Sequence, residues 1–83
     1  MKNIIVVTGG SGFVGSNLIE NLIIHSNKKI ISIDDYSSGT KKNHIKNDRI
    51  TYIKGSTQNI NSILSNKSKY IQTIFHFGEY SRI

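Results

Sequence analysis

A glycine-rich turn joins an apolar strand to a helix near the N-terminus, where residues 4–15 read IIVVTGGSGFVG. The uncharged run Ile4–Val7 consists of strong β-formers and predicts a buried strand. After the glycines, apolar side chains recur at helical spacing, at Val14, Leu18 and Leu22. This segment therefore predicts a strand, a tight turn and a helix in immediate succession.

The glycines of this turn predict a binding site for a pyrophosphate group. Gly9 and Gly12 allow the chain to turn sharply and let a phosphate approach the bare backbone. The amides of Phe13 and Val14 would lie at the helix N-terminus, where the helix dipole favours an anion. Gly15 would let the helix pack closely against the strand.

A carboxylate at the end of a second apolar strand supports the same interpretation. Asp34 ends the run Ile30–Ile33 and follows the glycines at about the 20-residue spacing of the dinucleotide fingerprint. A P-loop would need a lysine after its last glycine, whereas Ser16 and Asn17 follow Gly15. A tight turn that holds no ligand is the remaining alternative, and it does not require three glycines at this spacing.

The length and composition of the chain exclude several classes of protein. The 83 residues suffice for one small domain, about half of a dinucleotide-binding domain. The chain has no cysteine, and its three histidines lack ligand spacing, so we expect no metal site. No run approaches the roughly 18 apolar residues of a membrane span. Because the N-terminus leads directly into a strand, we expect no signal peptide and a cytoplasmic location.

The basic balance of the chain raises nucleic-acid binding as an alternative. Lysine and arginine number 11 against 5 acidic residues, which gives a net charge of +6. However, the lysines are spread among isoleucine, asparagine and serine, and no aromatic residues interleave with them as a stacking platform requires. We therefore attribute the charge to compositional bias and expect no nucleic-acid partner. The alternative predicts a steep salt dependence of binding.

The predicted elements alternate along the chain as strand, helix, strand, long loop, strand, short helix and strand. The strands cover about residues 3–8, 29–34, Ile50–Lys54 and 73–77, the first helix about 13–25, with a helical turn within Lys41–Ile45 and a short helix capped by Asn59. Such alternation predicts an α/β fold with a parallel sheet and right-handed crossovers. We expect three layers and a partial sheet of about four strands in the order 3-2-1-4.

Three segments of the sequence resemble the extended short-chain dehydrogenases/reductases, which include nucleotide-sugar epimerases and dehydratases. Thr8–Gly15 is similar to their T-G-x-x-G-F/Y-x-G signature, and Ser32–Gly39 to V-x-D-N-L-S-x-G. Ile74–Ile83 resembles their fourth-strand ending, V-x-H-x-A-A. The pattern of UDP-glucose 4-epimerases is among the most similar. The resemblance implies a Rossmann-like fold and NAD as the cofactor.

The resemblance implies a role for each matching residue on the adenosine side. Phe13 and Val14 would offer backbone amides to the pyrophosphate, and Asp34 would accept both hydroxyls of the adenosine ribose. A carboxylate binds a diol and repels a 2′-phosphate, which favours NAD over NADP. Further residues would line the adenosine or the adenine: Asp35, Ser37, Ser38, Gly39, Ser56 and Thr57. Asp35 as a solvated carboxylate and Thr57 as a helix cap are the alternatives.

The end of the sequence matches the stretch that passes under the nicotinamide in the family. This stretch comprises Phe77, Gly78 and Glu79, of which the last two replace two alanines of the pattern. A buried Glu79 would need a partner. Arg82 is the candidate, and a solvent-facing arginine is the alternative.

The chemistry of the family depends on a Tyr-x-x-x-Lys pair, and no tyrosine of this sequence is followed four positions on by a lysine. We therefore expect residues 1–83 to be the truncated N-terminal half of an NAD-binding Rossmann domain, without a second domain. The parent would be a homodimeric epimerase or dehydratase acting on a nucleotide sugar. Alone, the chain should bind NAD weakly or undetectably and be inactive. The alternative is a non-catalytic nucleotide-binding module or the product of a decayed gene.

Overall fold

The computed structural model describes residues 2–36, 40–56 and 59–77, which form a parallel sheet flanked by helices. The elements are β1 (Ile4–Thr8), α1 (Phe13–His25), β2 (Lys29–Asp34), β3 (Ile50–Lys54), α2 (Ile60–Ile63) and β4 (Ile71–His76), with short 3₁₀ helices at Lys41–Asn43 and Ser68–Tyr70. The strand order is β3-β2-β1-β4, which confirms the order predicted from the sequence. No helix in the described ranges is long and apolar enough to cross a membrane.

The central strand β1 is buried on both faces, because helices cover the sheet from two sides. Successive side chains of a strand point to opposite faces. Ile4 and Val6 accordingly belong to one core cluster, on the side of α2, while Ile5 and Val7 pack on the other side with Ile19 of α1. The uncharged run that predicted this strand is therefore the centre of both core layers.

Arg49, just before β3, binds the C-terminal end of α1. Its guanidinium donates hydrogen bonds to the carbonyl oxygens of Ile23 and Ser26, both at 2.6 Å, and of Lys28 at 3.2 Å. The last carbonyls of a helix lack intrahelical donors, and a cation there also opposes the negative end of the helix dipole. One side chain therefore joins the end of α1 to the start of β3.

Replacing Arg49 with alanine is expected to lower the free energy of unfolding by about 1–3 kcal/mol, because these carbonyls lose a charged donor. Arg49→Lys should recover only part of the loss, since an ammonium cannot reproduce the planar fork of donors. Urea unfolding followed by circular dichroism measures both changes. Lys46→Ala, which removes the same charge from an exposed position of the same loop, is the matched control. Equal losses in Arg49→Ala and Lys46→Ala would contradict the assignment.

The main differences between the structure and the sequence prediction lie in β4, at Asn59 and in the 3₁₀ helix Ser68–Tyr70, which was not predicted. Strand β4 starts at Ile71 rather than 73, because Ile71 pairs with Ile4 ahead of a register shift that brings Thr73 opposite Ile5. It ends at His76 rather than 77. Asn59 precedes α2 as predicted, but its side chain makes no capping hydrogen bond.

Strand β4 lies at one edge of the sheet in the part of the chain that the structure describes. It pairs with β1 on one side, and Ile74 is 41% exposed. Between β4 and α2 lies an open cleft of about 310 Å³, bordered by Ile60, Leu64 and Ile71. Part of the apolar surface at this edge is therefore open to solvent.

Candidate functional site

The carboxyl ends of the four strands meet at one edge of the sheet, as they must when all strands are parallel. Gly9 follows β1 and donates its N–H to the carbonyl of Ile33 at 2.7 Å. Gly55 follows β3 and donates to the carbonyl of Asp34 at 3.0 Å, and Phe77 follows β4 and donates to that of Thr8 at 2.9 Å. The segments that the sequence marked as a site are therefore neighbours in space.

Gly9, Gly12 and Gly15 shape the turn between β1 and α1 in different ways. Gly9 has a φ of 74°, a left-handed conformation that side chains disfavour. A Cβ on Gly15 would clash with the carbonyl oxygen of Gly9 and lie 2.8 Å from its carbonyl carbon. Gly15 thus lets the first turn of α1 pack closely against Gly9 and Gly10 of the glycine turn, whereas the sequence predicted close packing of the helix against the strand. A Cβ on Gly12 would meet only the Gly9 oxygen, at 3.4 Å.

The N-terminus of α1 has donors to offer to a ligand. Its N-cap residue, Gly12, makes no side-chain capping bond, and the first turn carries no acidic residue. Within the described ranges, the amides of Phe13 and Val14 donate to no acceptor outside the helix, and the side chains of both residues are exposed. Uncapped amides at the positive end of a helix are suited to an anion such as a pyrophosphate.

The carboxylate of Asp34 binds directly to the glycine turn. Its Oδ2 accepts the N–H of Ser11 at 2.9 Å, its Oδ1 accepts the N–H of Tyr36 at 2.8 Å, and the residue is only 6% exposed. A carboxylate has about four acceptor positions, so about two remain for a further ligand. A ribose diol presents two hydroxyl donors, and the residues present therefore fit the adenosine half of NAD.

Ser11, which the sequence analysis did not single out, links the turn to the loop after β2. It is fully buried, and its carbonyl accepts the Nδ2 donor of Asn43 at 2.7 Å and the N–H of Thr40 at 3.1 Å. Its Oγ lies 3.1 Å from Nε2 of His44. No sequence signal marked these partners, because a lone histidine and asparagine in a polar loop are unremarkable.

The ring of His44 is held between two tyrosines. It stacks on Tyr52 with the ring centroids 3.7 Å apart, and its Nε2 lies 2.8 Å from the hydroxyl oxygen of Tyr36. The hydroxyl of Tyr52 accepts the N–H of Ile45 at 2.8 Å. Burial raises the pKa of the Tyr52 phenol, an effect that this hydrogen bond partly offsets and Tyr36 reinforces.

Of the other residues predicted to bind the cofactor, some lie in the part of the chain that the structure describes and some lie outside it. Asp35 is exposed, Ser56 is half-buried just after β3, and Phe77 is 44% exposed, with its ring stacked 6.5 Å from that of Phe75. Outside the described residues lie Ser37, Ser38, Gly39, Thr57, Gly78, Glu79 and Arg82. Within residues 2–36, 40–56 and 59–77, no group of three or more His, Asp or Glu residues is placed to hold a metal ion.

Comparison with known proteins finds relatives along the whole chain. The sequence matches the NAD dependent epimerase/dehydratase family over residues 5–83. It is 44% identical over 39 residues to UDP-glucuronic acid decarboxylase 6 of Arabidopsis thaliana, a match covering 47% of this chain and 11% of that protein.

Solved structures share the fold. UDP-N-acetylglucosamine 4-epimerase from Methanobrevibacter ruminantium M1, in complex with UDP-N-acetylmuramic acid, superposes with a TM-score of 0.77 at 32% identity, covering 100% of this chain and 26% of that one. dTDP-glucose 4,6-dehydratase from Bacillus anthracis, in complex with NAD, gives 0.79 at 28% identity, covering 93% and 27%. This chain thus spans about a quarter of the length of these structures.

Proposed function

Since the chain belongs to the NAD dependent epimerase/dehydratase family, we propose that it is the NAD-binding N-terminal portion of a nucleotide-sugar epimerase or dehydratase. The observation that carries the proposal is the contact between Asp34 and the glycine turn, which puts a buried carboxylate beside an uncapped helix N-terminus. A carboxylate is suited to a ribose and a helix N-terminus to a pyrophosphate, and these two groups adjoin each other in a dinucleotide.

Each residue of the site has a separate task in this proposal. The amides of Phe13 and Val14 bind the pyrophosphate, while Gly9, Gly12 and Gly15 keep side chains away from it. Asp34 accepts the two hydroxyls of the adenosine ribose and repels the 2′-phosphate of NADP. The adenosine is further lined by Asp35, Ser37, Ser38, Gly39, Ser56 and Thr57, and the nicotinamide by Phe77, Gly78 and Glu79. Bound NAD supplies the hydride acceptor for oxidation of a sugar hydroxyl.

The reaction itself is assigned to the parent protein. The solved relatives include a UDP-sugar 4-epimerase and a dTDP-glucose dehydratase, which supports a nucleotide sugar as the substrate. This sequence has no Tyr-x-x-x-Lys pair, so we propose that residues 1–83 alone turn over no substrate. The proposal extends to a homodimeric parent, as the family resemblance implies, and to a cytoplasmic location.

The proposal narrows the expectation of weak or undetectable NAD binding by the 83-residue chain to binding that is weak but selective. Titration of ¹⁵N-labelled protein with millimolar NAD, followed by NMR, should shift the amide resonances of Phe13, Val14 and Tyr36. NADP should produce smaller shifts at the same concentration, because its 2′-phosphate meets the Asp34 carboxylate. Incubation with NAD and UDP-glucose should yield no UDP-galactose.

Two results would contradict this function. Amide shifts confined to surfaces away from the glycine turn would remove the proposed site, and equal shifts with NADP would remove the role of Asp34. Turnover of UDP-glucose by the pure chain would contradict the assignment of catalysis to the rest of the parent protein.

A further inference from the structure

We infer that His44 is a positioning residue of the proposed site, which fixes the Asp34 carboxylate by holding both residues that donate to it. The inference rests on the proposed function and adds to it a residue outside the family's signature motifs. It concerns the adenosine ribose, whose hydroxyls the carboxylate would accept. By orienting Asp34, His44 would therefore favour ligands whose ribose carries both the 2′- and the 3′-hydroxyl.

The geometry is a closed ring of polar contacts through four residues, in which two hydroxyls share the single hydrogen or lone pair of His44 Nε2. Asp34 accepts the backbone N–H groups of Ser11 and Tyr36, at 2.9 and 2.8 Å. The side-chain hydroxyls of the same two residues lie 3.1 and 2.8 Å from Nε2 of His44. His44 therefore contacts, through their side chains, the two residues that bind Asp34 through their backbone.

The backbone of Tyr36 indicates that this ring works against a local preference. Its φ is 63°, a left-handed conformation that is unfavourable for a residue with a Cβ. Such a conformation persists only where its surroundings hold it. The N–H bond to Asp34 and the hydroxyl contact with His44 hold Tyr36 from both ends.

The imidazole has a fixed support of its own. Its ring lies nearly parallel to that of Tyr52, at an angle of 9° and a centroid distance of 3.7 Å. Tyr52 belongs to β3, and its hydroxyl accepts the N–H of Ile45, the residue after His44. The sheet thus fixes the position of His44 through Tyr52. His44 in turn restrains Tyr36 in the loop after β2 and Ser11 in the glycine turn.

Orientation of the carboxylate matters because a diol needs both oxygens at defined angles. Two acceptor positions of Asp34, one on each oxygen, are used by the ring, which leaves about one on each oxygen for a ligand. A carboxylate that rotates freely would lose this preorganisation and with it part of the selectivity for the diol.

The test uses substitutions that separate stacking from hydrogen bonding. His44→Phe keeps an aromatic ring against Tyr52 but removes Nε2, whereas His44→Gln retains a polar group near the Nε2 position. Tyr36→Phe removes the other hydroxyl contact of the ring. If the ring acts as a unit, the double variant with Phe at both positions should be no more affected than either single one.

Hydrogen exchange gives the first measurement. The amides of Ser11 and Tyr36 should exchange severalfold faster in His44→Phe than in the wild type, while amides of β1 keep their protection. His44→Gln should restore slow exchange at both positions. Unchanged exchange at these two amides in His44→Phe would overturn the inference, whatever the ligand binding shows.

Binding of ADP and 2′-deoxy-ADP gives the second measurement. In the wild type ADP should bind more tightly, and His44→Phe should lower the ADP affinity by about threefold to tenfold, the loss expected for one hydrogen bond, with little effect on 2′-deoxy-ADP. A general weakening of the fold would affect both ligands equally and would overturn the positioning role. If neither nucleotide shifts the amides of the wild type, the proposed function fails, and the exchange measurement alone decides on the ring.

Discussion

Gly15→Ala should destabilise the chain by about 1–3 kcal/mol, although alanine is the better helix former. An added Cβ would lie 2.8 Å from the carbonyl carbon of Gly9 and 2.9 Å from Cα of Gly10, so backbone atoms of the turn would have to move. No flexible side chain is available to absorb the overlap. Urea unfolding measures the loss, and the NMR titration with NAD should show a disrupted site.

Gly12→Ala is the matched control for this substitution. A Cβ at Gly12 would lie at an ordinary 3.4 Å from the Gly9 oxygen, and the φ of −82° suits any residue. We expect a stability loss below about 1 kcal/mol, typical of a changed N-cap. Under the proposed function its methyl group would nevertheless obstruct the pyrophosphate and weaken NAD binding. Comparable stability losses in the two variants would contradict the close-packing role of Gly15.

Asp34→Ala should cost both stability and cofactor affinity. It leaves the N–H groups of Ser11 and Tyr36 without their acceptor, at about 1–3 kcal/mol for each donor that remains buried. Loss of the charged acceptor should also weaken NAD binding in the full-length parent, by about 1–3 kcal/mol of binding free energy. Urea unfolding of the chain and NAD titration of the parent measure the two effects separately.

Two neighbouring variants keep this prediction testable if Asp34→Ala does not fold. Asp34→Asn retains one acceptor oxygen and should lose less stability, while still losing preference for NAD over NADP. Asp35→Ala removes an exposed carboxylate one residue away and should change the unfolding free energy far less. Unchanged stability in Asp34→Ala would show that the two N–H contacts contribute little, and unchanged NAD affinity would exclude Asp34 from the cofactor site.

The local patterns of the sequence predicted most of the fold correctly. Helix α1 and strands β2 and β3 have the predicted bounds. The apolar residues of each segment are spaced as expected for its type, helix or strand, along its whole length. The parallel order followed from alternation of strands and helices, and it brought Asp34 to the glycine turn as expected. The roles of the predicted cofactor-binding residues stay predictions.

Features that depend on distant contacts were not predicted. The early start of β4 at Ile71 comes from pairing with Ile4 across a register shift, which no local period encodes. The contacts of His44 depend on how the loop after β2 folds back onto Ser11 and Tyr52. A histidine in a polar loop carries no periodic signal, so only the three-dimensional structure reveals these neighbours.

The contacts around Ser11 join residues 23 and 33 positions apart in the chain, and the stack beneath His44 adds β3. Under the proposed function, a polypeptide emerging from the ribosome would therefore lack an ordered ribose acceptor until Tyr52 had left the exit tunnel. The glycine bend and its helix can form early from neighbouring residues, while Asp34 acquires its final setting only as the third strand docks. The proposed nucleotide site would thus be complete only once β3 has joined the sheet, with β4 still to follow along the chain.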